Sequence, residues 1–315
     1  MISMNELSKY IIILCGEFKD SYKPLSRAAF WKLYHKYNDS VEELIHSDEE
    51  VIKELLKRSG SIAFALDEMS KMGISVTTFL DEDFPQKLYR VLKDFCPPLF
   101  YKCGNSEINK FRFVGYVGSR NITGWDEKWA EERVIKNLND KYAIVTGGAK
   151  GIDTVALNTC MKNSGYAVLF VPDNIITKVR DPFIRKNIMD NRILVYSHVS
   201  PFASKTRNSF VSSAMERNKF IYAMSTATVV VRSDKDKGGT WAGATESIKH
   251  KWSYVYVWDN KDYDGNQALI QIGAVPLADD GKVLKRAECR NDFHEVNDNK
   301  QEGFKTKQLS FLDML

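Results

Sequence analysis

No two cysteines in this chain are spaced for a metal or redox motif: Cys15, Cys96, Cys103, Cys160 and Cys289 lie far apart, with no C-x-x-C. The five histidines form no H-E-x-x-H or H-x-x-x-H pair. Metal sites and disulfide frameworks need such spacings, so neither is expected, and the thiols fit a reducing compartment. Long apolar runs are scarce too. The early run from Ile11 to Cys15 is too short for a signal peptide or a membrane span. The expectation is a cytoplasmic protein with no membrane partner, no metal and no cofactor. A dominant charge is also missing, since 45 basic against 41 acidic residues leave +4 over 315 residues. That excess does not identify an anionic partner by itself; the placement of the charges must.

Two phosphate-binding signatures are absent as well. No loop reads G-x-G-x-x-G, and the glycines from Gly147 to Gly151 are not followed by Lys-Ser or Lys-Thr, so neither a dinucleotide fingerprint nor a P-loop is present. No serine or threonine of these loops has a paired histidine nearby in sequence, and His198 and His250 read as structural. Binding is better supported than catalysis.

What is present is an alternation of strands and helices. The apolar fraction of 43% and charged fraction of 27% are those of a globular protein. From Phe111 to Ala274, strand-like runs at 111–117, 142–146, 166–171, 192–196, 226–231 and 253–258 alternate with helix-like runs at about 125–139, 152–163, 181–190, 211–224, 240–250 and 264–272. Runs such as Ala167 to Val171 and Ala227 to Val231 are apolar without alternation, as strands covered on both faces are. The predicted fold class is α/β, a doubly wound Rossmann-like parallel sheet with a small N-terminal helical module, its ligands beyond the carboxyl ends of the strands. The expected organisation is a helical module over 1–80 with Ser26 and Ser40 as caps, a connector over 81–110, the Rossmann-like domain over 111–277 and a flexible tail over 278–315.

Small residues and cations gather where these strands stop. The first strand ends in Gly118-Ser119-Arg120-Asn121, the second in Thr146-Gly147-Gly148-Ala149-Lys150-Gly151-Ile152-Asp153, and the fifth leads to Lys237-Gly238-Gly239-Thr240. Glycine lets the backbone approach an anion, and the following helix offers unpaired N–H groups. Each turn alone could be a mere connection; three at the ends of one sheet would build a single anion-lined crevice. Arg217-Asn218-Lys219, inside a predicted helix, adds two cations, and Arg217 is placed to pair bidentately with a phosphate. Trp125 and Trp241 are candidates for stacking on bases.

The order of these motifs resembles the DprA/Smf family of DNA-processing proteins over roughly residues 5 to 275. Asp83-Phe84-Pro85 and Pro97-Pro98-Leu99-Phe100-Tyr101 look like that family's lead into its Rossmann domain. Val117-Gly118-Ser119-Arg120 matches its V-G-S/T-R strand end, and Thr146 to Asp153 is similar to its S-G-x-A-x-G-I-D loop. Arg217-Asn218-Lys219 resembles its R-N-R element, and Lys237-Gly238-Gly239-Thr240 with Ala244 its S-G-(S/T)-L-x-T-A segment. Departures are Arg232 where an acidic residue usually follows the fifth strand, Gly238-Gly239 for Ser-Gly, and Ser197-His198 for Ser-Glu. The resemblance implies a dimeric protein that binds single-stranded DNA in a basic pocket and helps load a RecA-type recombinase, with Arg120, Lys150, Arg217 and Lys219 as phosphate-contacting cations.

Two further readings stand beside this one. Gly238-Gly239-Thr240 with Glu246 loosely resembles the motif of lysine-decarboxylase-like phosphoribohydrolases, which implies a nucleotide sensor or hydrolase with Glu246 as its acid or base. Near the end, Gln308-Leu309-Ser310-Phe311-Leu312 looks like the short peptide that docks on bacterial sliding clamps. That implies an adaptor working through Gln308, Leu309, Phe311 and Leu312.

Overall fold

In the computed structural model, which describes residues 5–203 and 207–283, the chain opens with helices α1 (Ser8–Cys15), α2 (Arg27–Lys36), α3 (Val41–Ile45), α4 (Glu50–Leu56) and α5 (Ser59–Lys71). Ser26 Oγ accepts from the Ala29 N–H at 3.2 Å, and Ser40 Oγ from the Glu43 N–H at 3.1 Å, so both expected caps form. Strand β1 (Ser75–Thr78), helix α6 (Gln86–Leu92) and strand β2 (Leu99–Gly104) come next. Trp31 is wedged among Phe30, Tyr34, Phe79 and Tyr89, and its indole N–H donates to the Cys96 carbonyl at 2.8 Å. That wedge fastens the helical module to the residues between β1 and β2.

The alternating region follows as β3 (Phe113–Val117), α7 (Gly124–Asn139), β4 (Ala143–Thr146), α8 (Ile152–Lys162), β5 (Ala167–Val171), α9 (Ile175–Val179), α10 (Pro182–Met189), β6 (Ile193–Ser197), α11 (Arg207–Met224), β7 (Ala227–Val230), α12 (Gly238–His250), β8 (Tyr254–Trp258), α13 (Asp264–Gln271) and β9 (Val275–Leu277). Among the described residues these strands form one sheet in the order β1-β2-β6-β5-β4-β3-β7-β8-β9. Pairing is parallel from β6 through β9, while β2 runs antiparallel to both β1 and β6. Two strands are thus added at one edge of the sheet, β1 from within the expected helical module of 1–80 and β2 from the expected connector. Every residue of β3 to β7 is buried, as the unbroken apolar runs require. Phe100, Phe170, Tyr196 and Phe220 pack with ring centroids 5.2 to 6.0 Å apart and join β2, β5 and β6 to α11.

Topology decides where a ligand can enter. From β3 the chain steps outward through β4, β5 and β6, then returns to lay β7 on the other side of β3 before continuing to β8. The connections leaving β3 and β7 therefore diverge. Divergence of neighbouring connections opens a crevice at the carboxyl ends of the strands.

The polar stretch that begins at 278 starts with fixed structure. Asp279 Oδ1 accepts from the indole N–H groups of Trp129 at 2.9 Å and Trp258 at 2.8 Å, and those two rings stack 4.8 Å apart. Arg133 donates to the Gly281 carbonyl at 3.0 Å. Asp279→Ala strands two buried donors, and each costs about 1–3 kcal/mol when left unpaired. Urea unfolding of Asp279→Ala is expected to show a loss of about 2 kcal/mol, largely restored in Asp279→Asn; an unchanged midpoint would contradict the clamp.

Candidate functional site

A crevice of about 760 Å³ opens between the ends of β3 and β7. Its β3 side is Gly118, Ser119, Arg120 and Asn121; its β7 side is Arg232, Ser233, Asp234, Asp236 and Lys237 to Thr240; α11 supplies Met215, Arg217 and Asn218. Two of the three glycine loops meet here directly. Gly238, Gly239 and Thr240 form the first turn of α12, where backbone N–H groups lack intrahelical partners. The loop between β4 and α8 approaches from behind, contributing Ala149 and Asp153.

Asp153 organises that loop. Its Oδ2 accepts from the Gly147 N–H at 3.1 Å, the Ala149 N–H at 3.4 Å and Arg217 Nη1 at 3.3 Å. Both side chains of the pair are more than nine-tenths buried. Burial pushes the Asp153 carboxyl up and the Arg217 guanidinium down, and each is opposed by the charge of the other. The Arg217 guanidinium lies across Gly147, where an added Cβ would fall 0.8 Å from Nη1. No side chain fits between them, which explains glycine at 147. Gly151 is set at φ +90, and a Cβ there would lie 2.2 Å from the Ser119 carbonyl oxygen. Ser119 in turn donates its N–H to the Arg232 carbonyl and accepts from the Ile152 N–H, and Asn218 Nδ2 donates to the Gly239 carbonyl at 3.2 Å. The loops are therefore bonded to one another, not merely adjacent.

The expected residues divide into three groups, with Lys219 apart from all of them. Gly118, Ser119, Arg120, Arg217, Asn218, Gly238, Gly239 and Thr240 line the crevice. Arg120, Lys150 and Gly151 line a second, smaller groove that shares Arg120 with it. Thr146, Gly147 and Gly148 line neither; Thr146 is the buried last residue of β4, and its hydroxyl has no partner. Lys219 is a correction. It pairs with Glu246 at 2.7 Å and lies over the rings of Phe95 and Trp252, because two helical positions past Arg217 is the opposite side of α11. The same pair removes Glu246 from the crevice, where the hydrolase reading needs it. Arg217 is also corrected: it is a buried residue tied to a carboxylate, with its Nε unpartnered, and not a free bidentate arm.

Trp241 lines the crevice, whereas Trp125 is 74% exposed outside it. Sequence reasoning missed an apolar wall of Phe210, Val211 and Met215, and it missed Arg232, whose guanidinium sits 4.7 Å from the Tyr263 ring centre and pairs with Asp126 at 3.4 Å. The position of Arg232 just past a strand end was the available signal. Neither histidine nor cysteine lines the crevice among the described residues. His198 lies elsewhere, beside Glu216, with burial holding its pKa down to about 4. No helix among the described residues is long and apolar enough to cross a membrane, and no three His, Cys, Asp or Glu side chains there are placed to hold a metal. The clamp-like residues Gln308, Leu309, Phe311 and Leu312 lie outside the described residues.

A Rossmann-like sheet with glycine loops and cations at its switch point defines a protein of the α/β class. The chain belongs to the DNA recombination-mediator protein A family, the family of DprA and Smf, whose pattern it matches over residues 75–288. It is 30% identical to the DNA processing protein DprA of Streptococcus pneumoniae over 216 residues, 67% of this chain and 73% of that one. It is 25% identical to the protein Smf of Synechocystis over 244 residues, 70% of this chain and 59% of that one. The X-ray structure of the Streptococcus pneumoniae protein aligns with a TM-score of 0.64 at 22% identity, covering 88% of this chain and 95% of that chain, and bears out the fold. A DprA from Helicobacter pylori, described for its single-stranded DNA binding mode, aligns with a TM-score of 0.52 at 20% identity over 64% of this chain and 90% of that one.

Breaking a buried ion pair by displacing one partner costs about 3–5 kcal/mol. Gly147→Ala is expected to destabilise the protein by about that much, and the double variant with Arg217→Met to cost little more than Arg217→Met alone. Additive losses in denaturant unfolding would show that Gly147 does not act through Arg217.

Proposed function

We propose that the crevice holds the sugar-phosphate backbone of single-stranded DNA and that the protein works as a strand-binding mediator, not as an enzyme. The observation that carries this reading is the convergence on one crevice of an exposed arginine, Arg120, the Asp153-paired Arg217, and the first turn of α12. Charge-assisted donors and helix N-termini are what phosphate oxygens seek. Arg120 and Lys150 have no ion-pair partner among the described residues, so their charge is available to a ligand. Trp241 and Phe210 add aromatic surface on which bases of any sequence can stack. The single-stranded DNA binding mode named for the Helicobacter pylori relative supports the same ligand. The family's description as a recombination mediator supports a further step, in which a homodimer passes the bound strand to a RecA-type recombinase.

Phosphate contacts make affinity depend on salt, with a log–log slope of about 0.7 per contact on single strands. Arg120→Ala should flatten that slope by about 0.7 and weaken homopolymers of every base by the same factor. Duplex DNA and nucleoside monophosphates should compete poorly. Mobility shifts that are salt-insensitive, or a mononucleotide that displaces the strand, would contradict the reading.

A further inference from the structure

Beyond Arg120 the crevice runs into a groove of about 330 Å³ between α7 and α8. Its walls are two helical stripes. From α7 come Glu127 and Glu131, four residues apart; from α8 come Thr154, Asn158 and Lys162, also four apart, so each set lies on one face of its helix. Lys150 and Arg120 close the end next to the crevice, and Ile122 and Val155 give the groove its apolar lining. Glu127, Glu131, Lys150 and Lys162 have no ion-pair partner among the described residues, so neither wall is neutralised by the other.

A groove with cations at its end and at Lys162 on the α8 wall, carboxylates on the α7 wall and apolar side chains in its lining has the polarity of a nucleotide, not of a simple anion. Phosphates belong beside Lys150 and Lys162. A base edge then faces Glu127 and Glu131, and an ionised carboxylate accepts from an exocyclic amine but repels a carbonyl oxygen. Cytosine and adenine present such an amine beside a ring-nitrogen acceptor; thymine offers its single N3–H donor only between two carbonyl oxygens, which the carboxylates repel. Resting on the reading of the crevice as a strand-binding site, we propose that the groove between α7 and α8 is a second nucleotide subsite continuous with it through Arg120, and that it prefers amine-bearing bases over thymine.

The test measures binding of the full chain to labelled oligo-dC and oligo-dT of about 4 and about 16 nucleotides, the span of lengths that single-strand sites occupy. The longer oligo-dC is expected to bind on the order of tenfold more tightly than the longer oligo-dT, with little difference between the short pair, which the crevice alone accommodates. Glu127→Gln with Glu131→Gln should erase the preference while keeping binding. Lys162→Gln should flatten the salt slope by about 0.7 for the long oligomers only. Equal binding of long oligo-dC and oligo-dT by the wild-type protein, or a preference that survives the glutamine pair, overturns the subsite and leaves the crevice reading standing. No binding of any oligomer overturns both.

Discussion

The buried pair of Asp153 and Arg217 is the constraint on which the arrangement of loops depends. Two charges out of water are costly unless each is paired and the leftover donors and acceptors are used. Asp153 meets that condition by also accepting from the Gly147 and Ala149 N–H groups, so the carboxylate that neutralises Arg217 also bends the loop after β4 around itself. Because the guanidinium passes directly over the Gly147 backbone, helix and loop cannot shift separately. Asn218, next along α11, ties the same helix to the start of α12. One turn of α11 therefore sets the position of two strand-end loops.

Fixed and mobile charge divide the work. Arg217 is held in place by its carboxylate, so a ligand that meets it would not have to order its side chain. Arg120 and Lys150 are exposed and unpaired among the described residues, so they can follow a backbone that varies in shape. On the β7 rim Asp234 and Asp236 accompany Lys237 and Arg232, so positive charge without interleaved carboxylates is found at Arg120. A polyanion would thus cross from the first turn of α12 to Arg120.

Much of this architecture was legible in the sequence, for physical reasons. Strands buried on both faces cannot hide their composition, and β3 to β8 fall within a few residues of the expected runs. The glycine loops were legible because only glycine permits such approaches. Burial was not legible. Arg217 reads as a free cation until its carboxylate partner, 64 residues away in sequence, is known, and Thr146, the end of the expected run 142–146, reads as a phosphate contact until its burial is known. Lys219 shows a different failure, since helical geometry alone places it away from Arg217. The stretch after 278 looks too polar to pack, yet Asp279 satisfies two tryptophans, and no local pattern announces a partner for a buried indole.

The central claim is that strand-end loops far apart in sequence grip one strand together. Hydrogen exchange of the backbone amides, with and without a single-stranded oligonucleotide, tests it most directly. The account predicts simultaneous slowing at 118–121, 149–151 and 237–240 with the N-terminal helices unchanged. Slowing at only one of these loops, or away from all three, would contradict it.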